Sequence, residues 1–256
     1  MTLPELRFEE SGSGLPLLCL HGVGGTGVWF KGLGLRLRDR FRVIALDLPG
    51  TGANREGHGP FSIERCADTL ARWLASRETA PAAVLGHSMG TLIGLHLNAK
   101  IRLHSLLCVG GLPAVTPANH RRLSDRADLI RREGMGGLAW KVAEGNFCKA
   151  TLAQKPELAA LFGRLWETQS AGAYLEGLDS LLAADAGPLL PGATLPSLVL
   201  RGAEDNYAPA EESRRFAAAL PGLKRTVELP GCAHMPFLED PEAFAAAIAG
   251  FLRDHP

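Results

Sequence analysis

Short apolar runs alternate with longer segments of amphipathic, helical spacing over the first part of the chain and again near its end. Apolar runs without polar interruptions are typical of strands that are buried on both faces of a parallel sheet. The predicted strands cover residues 6–10, 15–20, 42–46, 82–85, 103–109, 197–201 and 226–229. The predicted helices between them cover residues 28–38, 63–76, 91–99, 210–220 and 241–253. This alternation predicts an α/β fold with a mostly parallel central sheet flanked by helices.

The alternation of strand and helix stops between residues 113 and 188. Segments with helical spacing follow one another there without a strand between them, at residues 117–132, 136–148, 156–169 and 171–184. We therefore predict a helical cap at residues 113–188 over the carboxyl ends of the strands, and a core formed by residues 1–112 and 189–256. A cap excludes water and shapes a pocket, so we expect it to govern the choice of substrate.

The stretch Gly86-His87-Ser88-Met89-Gly90 follows a predicted strand and precedes a predicted helix. The pattern predicts a nucleophile elbow, a sharp turn that leaves a serine hydroxyl exposed at its tip. Gly86 and Gly90 have a steric role in such a turn, because a Cβ at either position would clash where the helix packs closely on the strand. Ser88 is thus the candidate nucleophile, and a turn serine without chemistry is the alternative interpretation.

A serine hydroxyl becomes a nucleophile at neutral pH only with a neighbouring histidine and a group that orients this histidine. Two such residues follow Ser88 along the chain. Asp205 comes shortly after the strand predicted at 197–201, and His234 comes shortly after the strand predicted at 226–229. Glu204 is adjacent to Asp205 and is an alternative acid.

Five motifs carry a resemblance to the α/β-hydrolase superfamily, and they occur in that family's order. They are HGVGG at 21–25, DLPGTG at 47–52, GHSMG at 86–90, RGAEDNYAP at 201–209 and GCAHMPFLEDPEAF at 231–244. The chain is most similar to the small serine esterase and lactonase branch that includes 3-oxoadipate enol-lactonases. It also resembles cofactor-free haloperoxidases and, more distantly, the carbon-carbon hydrolases of aromatic degradation. The family's pattern of Gly, two residues, then Asp selects Asp205 rather than Glu204.

The resemblance implies a serine hydrolase that cleaves a carboxylic ester or lactone through an acyl-enzyme intermediate, with catalytic residues Ser88, His234 and Asp205. It implies that the backbone N–H groups of Val23 and Met89 form the oxyanion hole, and that no cofactor or metal takes part. Two other functions share this fold and stay open: a carbon-carbon hydrolase of aromatic meta-cleavage products, and a ligand sensor with slow turnover. The earlier motifs supply His21 and Asp47, for which we expect structural roles in their loops.

Large apolar residues of the cap and the first glycine-rich loop are candidates for the substrate pocket. They are Trp29, Trp140, Phe147 and Trp166, with Tyr174 and Leu178 as further candidates. Arg122 and Arg126 share one face of the first cap helix and could hold a substrate carboxylate. Acidic residues interleave with them, which favours a solvated, ion-paired face instead.

Composition narrows the possible partners. Hydrophobic residues at 46% and charged residues at 21% are typical of soluble globular proteins. The 27 Lys and Arg balance the 27 Asp and Glu, which argues against nucleic acid or an anionic membrane as a partner and leaves a small-molecule substrate.

Cysteine usage and apolar runs bear on the compartment. The five cysteines show no paired or zinc-binding spacing, and neither a signal peptide nor an apolar stretch of about 18 residues is visible. We therefore expect a cytoplasmic protein. No pattern indicates its oligomeric state.

Overall fold

One seven-stranded sheet forms the centre of the computed structural model, which describes residues 6–55, 59–77 and 83–255. Its strands are β1 (Phe8–Ser11), β2 (Leu15–Leu20), β3 (Phe41–Leu46), β4 (Ala83–His87), β5 (Ser105–Val109), β6 (Ser197–Gly202) and β7 (Leu223–Leu229). The strand order is β1-β3-β2-β4-β5-β6-β7. Only β1 runs antiparallel to its neighbour, which confirms the predicted α/β fold.

The predicted strands agree with the observed ones most closely where the strand is buried. Strand β2 has the predicted bounds, and β4 and β5 are buried at every position. Strand β7 lies at the sheet edge and begins at Leu223, earlier than the predicted residue 226, because its exposed and half-buried positions alternate and hide the apolar signal. Ala82, at the start of a predicted strand, and residues 1–5 lie outside the described residues.

Eleven α-helices lie in the described part of the chain. They are α1 (Lys31–Leu37), α2 (Ile63–Ser76), α3 (Met89–Asn98), α4 (Pro117–Glu133), α5 (Ala139–Asn146), α6 (Lys149–Gln154), α7 (Pro156–Glu167), α8 (Ala171–Ala183), α9 (Ala210–Ala219), α10 (Pro236–Glu239) and α11 (Pro241–Asp254). The helix predicted from residue 28 begins instead as a 3₁₀ helix, Gly27–Phe30. Helices α6 and α10 were not predicted, since elements this short show no clear periodicity.

The helices α4 to α8 follow one another between β5 and β6. The segment that contains them leaves and rejoins the sheet at one place, because Ala186 N–H donates to the Pro113 carbonyl at 2.8 Å and Ala114 pairs with Asp185 in an isolated bridge. Nothing in the described residues forms a helix of the length and apolarity that a membrane crossing requires.

Candidate active site

The turn between β4 and α3 has the strained geometry expected of a nucleophile elbow. Ser88 has φ 54° and ψ −118° and is the only described residue other than glycine with a positive φ. A Cβ at Gly86 would lie 2.3 Å from the Gly90 carbonyl oxygen, and a Cβ at Gly90 would lie 2.2 Å from that of Leu20. The steric role predicted for Gly86 and Gly90 is therefore confirmed.

Asp205 and His234 form a buried hydrogen-bonded pair after β6 and β7. His234 Nδ1 lies 2.9 Å from Asp205 Oδ2. Because an ionised carboxylate only accepts hydrogen bonds, Nδ1 carries the proton and the other ring nitrogen, Nε2, keeps a lone pair. The tautomer of His234 is thus the one that a general base requires.

The carboxyl of Asp205 is held in its ionised form. Burial disfavours its charge, but the imidazole of His234 and the N–H groups of Ala208 and Tyr207 outweigh burial and hold the pKa of Asp205 below its usual range. Asp205 Oδ1 accepts from Tyr207 N–H at 2.8 Å and from Ala208 N–H at 3.1 Å. Arg201, to which the sequence pattern assigned no role, fixes the same loop by donating to the carbonyls of Ala203, Asp205 and Ala208.

Ser88 and His234 line one cavity of about 50 Å³ beneath the helices α4 to α8. In the part of the chain that the structure describes, Ser88 Oγ makes no hydrogen bond to His234, whose ring instead packs between those of His87 and Tyr207 at centroid distances of 4.7 and 4.5 Å. Catalytic hydrogen bonds are often long before the substrate binds. The arrangement therefore places Ser88 and His234 in one cavity wall, with Asp205 hydrogen-bonded to His234.

The glycine-rich loop after β2 passes directly beside the nucleophile. A Cβ at Gly22 would lie 2.9 Å from Ser88 Cβ, and Val23 lines the cavity. Met89 is the first residue of α3, so its N–H has no acceptor within the helix. Both predicted oxyanion donors thus border Ser88.

His21 and Asp47 have the structural roles that the sequence predicted. His21 Nδ1 contacts the Gly22 carbonyl at 2.7 Å, and its Nε2 accepts from Leu48 N–H at 3.0 Å. Asp47 accepts from the N–H groups of Gly27 and Ala53, each at 2.7 Å. These bonds join the two signature loops, and burial lowers the pKa of His21.

The candidates for the pocket wall divide into two groups. Trp29 and Trp166 line the cavity, as do Tyr174 and Leu178. Phe147 is buried but packs edge-on against Phe162 at 5.1 Å, and it is Phe162 that lines the cavity.

Trp140 lies at the surface, against the expectation from the sequence. Its side chain is 48% exposed, and its ring N–H donates to Glu144 at 2.7 Å. Trp140 shares the apolar character of the other candidates, but its position on α5 faces solvent. The structure therefore corrects the prediction that Trp140 contacts substrate.

Two cavity residues differ from their sequence interpretation. His87, which had no assigned role, lines the cavity together with Ser88 and His234. Arg126 lines it too, so the solvated, ion-paired face preferred for this residue is wrong. The pairing with acidic residues holds for Arg131 further along α4, which binds Asp128 and Asp179.

Side chains that could bind a metal ion are scattered over the molecule. Across the ranges that the structure describes, no three His, Cys, Asp or Glu side chains come together closely enough to hold one.

A family model of the alpha/beta hydrolase family matches residues 17–247. The chain belongs to the alpha/beta hydrolase family. Its mostly parallel seven-stranded sheet and its elbow after β4 are the features of this fold.

Individual members of the alpha/beta hydrolase family resemble the chain along nearly its whole length. It is 31% identical to the pimeloyl-[acyl-carrier protein] methyl ester esterase of Chromobacterium violaceum, over 96% of this chain and 98% of that protein. Among solved structures, an esterase from Thermogutta terrifontis with malate bound is 29% identical with a TM-score of 0.88, covering 98% of this chain and 94% of that one. The enol-lactonase from Burkholderia xenovorans LB400 is 25% identical with a TM-score of 0.88, and the match covers 97% of this chain and 96% of that one. The chain is thus a hydrolase of the esterase and lactonase branch of the alpha/beta hydrolase family.

Proposed function

We propose that this protein hydrolyses a carboxylic ester or lactone through an acyl-enzyme on Ser88. The observation that carries the proposal is the buried hydrogen bond between Asp205 and His234, which leaves His234 Nε2 as a base in the same cavity wall as the strained Ser88. Relatives named for a methyl ester and for an enol-lactone support this class of substrate.

The reaction follows from the roles of the three side chains. Ser88 Oγ attacks the carbonyl carbon while His234 Nε2 takes the hydroxyl proton, and Asp205 balances the charge of the imidazolium. The N–H groups of Val23 and Met89 then stabilise the oxyanion. His234 passes its proton to the leaving alcohol or enol as the carbon–oxygen bond breaks. A water molecule, deprotonated by His234, attacks the acyl-enzyme and releases the acid and Ser88.

We also propose that residues 113–188 act as a cap that excludes water from this reaction and that the protein is cytoplasmic. The first point is supported by the cavity beneath α4 to α8. The second is supported by the five cysteines, all of them in the described residues, which are buried and carry no disulfide.

Replacing the nucleophile tests the proposal directly. Ser88→Ala is expected to lower kcat for a p-nitrophenyl ester by about ten-thousandfold or more, because the acyl-enzyme can no longer form. A fluorophosphonate is expected to label the unaltered protein and not this variant. Ser76→Ala, at an exposed serine on α2, is the matched control and should keep both properties. Equal turnover by Ser88→Ala and the unaltered protein would remove Ser88 from the mechanism.

A further inference from the structure

A single cationic side chain reaches the candidate active site from the cap. Arg126, on α4, lines the cavity together with Ser88 and His234. It also lines an outer groove of about 360 Å³ between α4 and α5. Arg126 therefore borders both the cavity of Ser88 and the groove between α4 and α5.

The hydrogen-bond partners of Arg126 are two phenols. Its Nη1 donates to Tyr174 Oη at 3.3 Å, and its Nη2 donates to Tyr207 Oη at 2.6 Å. No carboxylate of the described residues forms an ion pair with Arg126, whereas Arg131 on the same helix pairs with two. The guanidinium of Arg126 is thus hydrogen-bonded to two phenol oxygens and to no carboxylate of the described residues.

The cluster of Arg126, Tyr174 and Tyr207 has hydrogen-bond donors left over. Each phenol oxygen accepts from Arg126, and within the described residues neither phenol hydrogen finds an acceptor. A guanidinium has five N–H donors and no acceptor, so two phenols cannot satisfy it. The three side chains therefore bring together N–H and O–H donors for which the described residues supply no further acceptor.

The neighbouring groove strengthens the positive character of this site. Its charged residues are Arg122, Arg126 and Lys141 against the single carboxylate of Asp125. Arg122 stacks over the ring of Tyr207 at 3.9 Å and leaves its buried Nε without a partner. Leaving such a donor unpaired in a buried place is costly.

We propose that Arg126, with the hydroxyls of Tyr174 and Tyr207, binds a carboxylate carried by the acyl part of the substrate. The physiological substrate is then an ester or lactone that bears a free carboxylate remote from the scissile bond. A planar guanidinium matches a carboxylate with paired hydrogen bonds, and the phenols add donors of fixed position. This inference rests on the proposed function, because it takes Ser88 as the point where the ester is cleaved.

The test compares charged and neutral esters of matched chain length. The charged series is the mono-p-nitrophenyl esters of succinate, glutarate and adipate, and the neutral series is p-nitrophenyl esters of the corresponding unbranched monocarboxylic acids. The unaltered protein is expected to prefer one charged ester to its neutral counterpart. Arg126→Gln is expected to lower the ratio of kcat/KM for that pair by about ten- to a hundredfold, the effect of losing charge-assisted hydrogen bonds. Arg126→Lys should restore part of the ratio.

Arg121→Gln is the matched control, because Arg121 is exposed on the same helix and its loss removes the same charge. This variant should keep the ratio of the unaltered protein. A second readout needs no catalysis: free succinate, glutarate or adipate should raise the Tm of the unaltered protein and of Arg121→Gln but not of Arg126→Gln. If Arg126→Gln does not fold, Tyr174→Phe takes its place and should weaken both effects.

The outcomes separate the two proposals. An unaltered protein that turns over neutral esters, shows no preference for any charged ester and gains no Tm from a dicarboxylate would overturn the carboxylate site and leave the serine hydrolase intact. An Arg126→Gln variant that keeps the kcat/KM ratio of the unaltered protein would overturn the carboxylate site as well. If instead no ester is turned over and a fluorophosphonate does not label Ser88, the proposed function fails, and the Tm measurement alone decides whether the anion site exists.

Discussion

His87 precedes Ser88, packs against the ring of His234 at a centroid distance of 4.7 Å and is held in its neutral form. Its Nε2 lies 2.8 Å from the His234 carbonyl oxygen, so Nε2 carries the proton. Burial, followed by the nearby His234, lowers the pKa of His87 to about 3. A charge next to the imidazole of His234 is thereby avoided at neutral pH, and the carbonyl of His234 accepts a hydrogen bond.

The buried neutral state of His87 predicts a pH dependence of stability. In the unfolded chain an imidazole titrates at about 6.5, so below that pH the unfolded state binds a proton that the native state takes up only near pH 3. Stability should therefore fall as the pH falls through this window, by up to about 1.4 kcal/mol per pH unit from this residue. Measured by urea unfolding, the free energy of unfolding of His87→Gln should change less between pH 6 and pH 4 than that of the unaltered protein. An unchanged slope would contradict the prediction, and His104→Gln, at an exposed histidine, is its control.

Asp205 has a neighbour that makes its role testable. Glu204 is exposed and adjacent in sequence, and of these two residues only Asp205 accepts a hydrogen bond from His234. Asp205→Asn is expected to lower kcat for a p-nitrophenyl ester by about ten-thousandfold, because an amide does not hold the correct tautomer of His234. Glu204→Gln should stay close to the unaltered rate. A large loss in Glu204→Gln and a small one in Asp205→Asn would reverse the assignment.

The loop that carries His234 is fixed by the end of α5 and the segment that follows it. His234 N–H donates to the Asn146 carbonyl at 3.0 Å. The buried carboxyl of Glu239 accepts from Cys148 N–H and from Ala233 N–H, each at 2.7 Å. Hydrogen bonds therefore join the end of α5 and the residues after it to the loop of His234, with the carboxyl of Glu239 at the junction.

Glu239→Gln should loosen this junction. An amide can accept with only one of its two polar atoms, so one of the two N–H groups loses its partner, at a cost of about 1–3 kcal/mol in the free energy of unfolding. Since the His234 loop is also less well fixed, kcat should fall. Urea unfolding and ester turnover measure the two effects. Glu242→Gln, on the exposed first turn of α11, should change both only slightly, and equal effects in the two variants would count against a special role of Glu239.

The meeting of three distant residues follows from the order of strands in the whole molecule. Ser88 follows β4, Asp205 follows β6 and His234 follows β7, and the carboxyl ends of these parallel strands lie at one edge of the sheet. Strand β5 lies between β4 and β6, and the two residues that follow it, Gly110 and Gly111, have no side chain. A Cβ at Gly110 would lie 2.9 Å from Asp205 Oδ2, and a Cβ at Gly111 would lie 2.8 Å from the Ser88 carbonyl.

The cavity that Ser88 and His234 line is small for a substrate. Its volume of about 50 Å³ has room for a few water molecules, while pockets for small ligands commonly have several hundred. We therefore expect the side chains of α4 to α8 that cover Ser88 to move when a substrate enters.

The sequence by itself determined the sheet, the elbow and the identity of the catalytic candidates. Buried strands are continuous apolar runs, and the turn at Ser88 needs glycine at Gly86 and Gly90, so both signals are local. The order of the motifs then selected Asp205 and His234.

Only the tertiary structure decided which residues of the helices α4 to α8 line the cavity of Ser88. Helical periodicity shows that a helix has two faces but not what covers each face. Trp140 and Trp166 are therefore equivalent candidates in the sequence, although Trp140 lies at the surface and Trp166 lines the cavity. The same holds for Arg126, because its phenol partners are 48 and 81 residues away along the chain. In the sequence, Arg126 has acidic neighbours, whereas in the folded chain it lines the same cavity as Ser88.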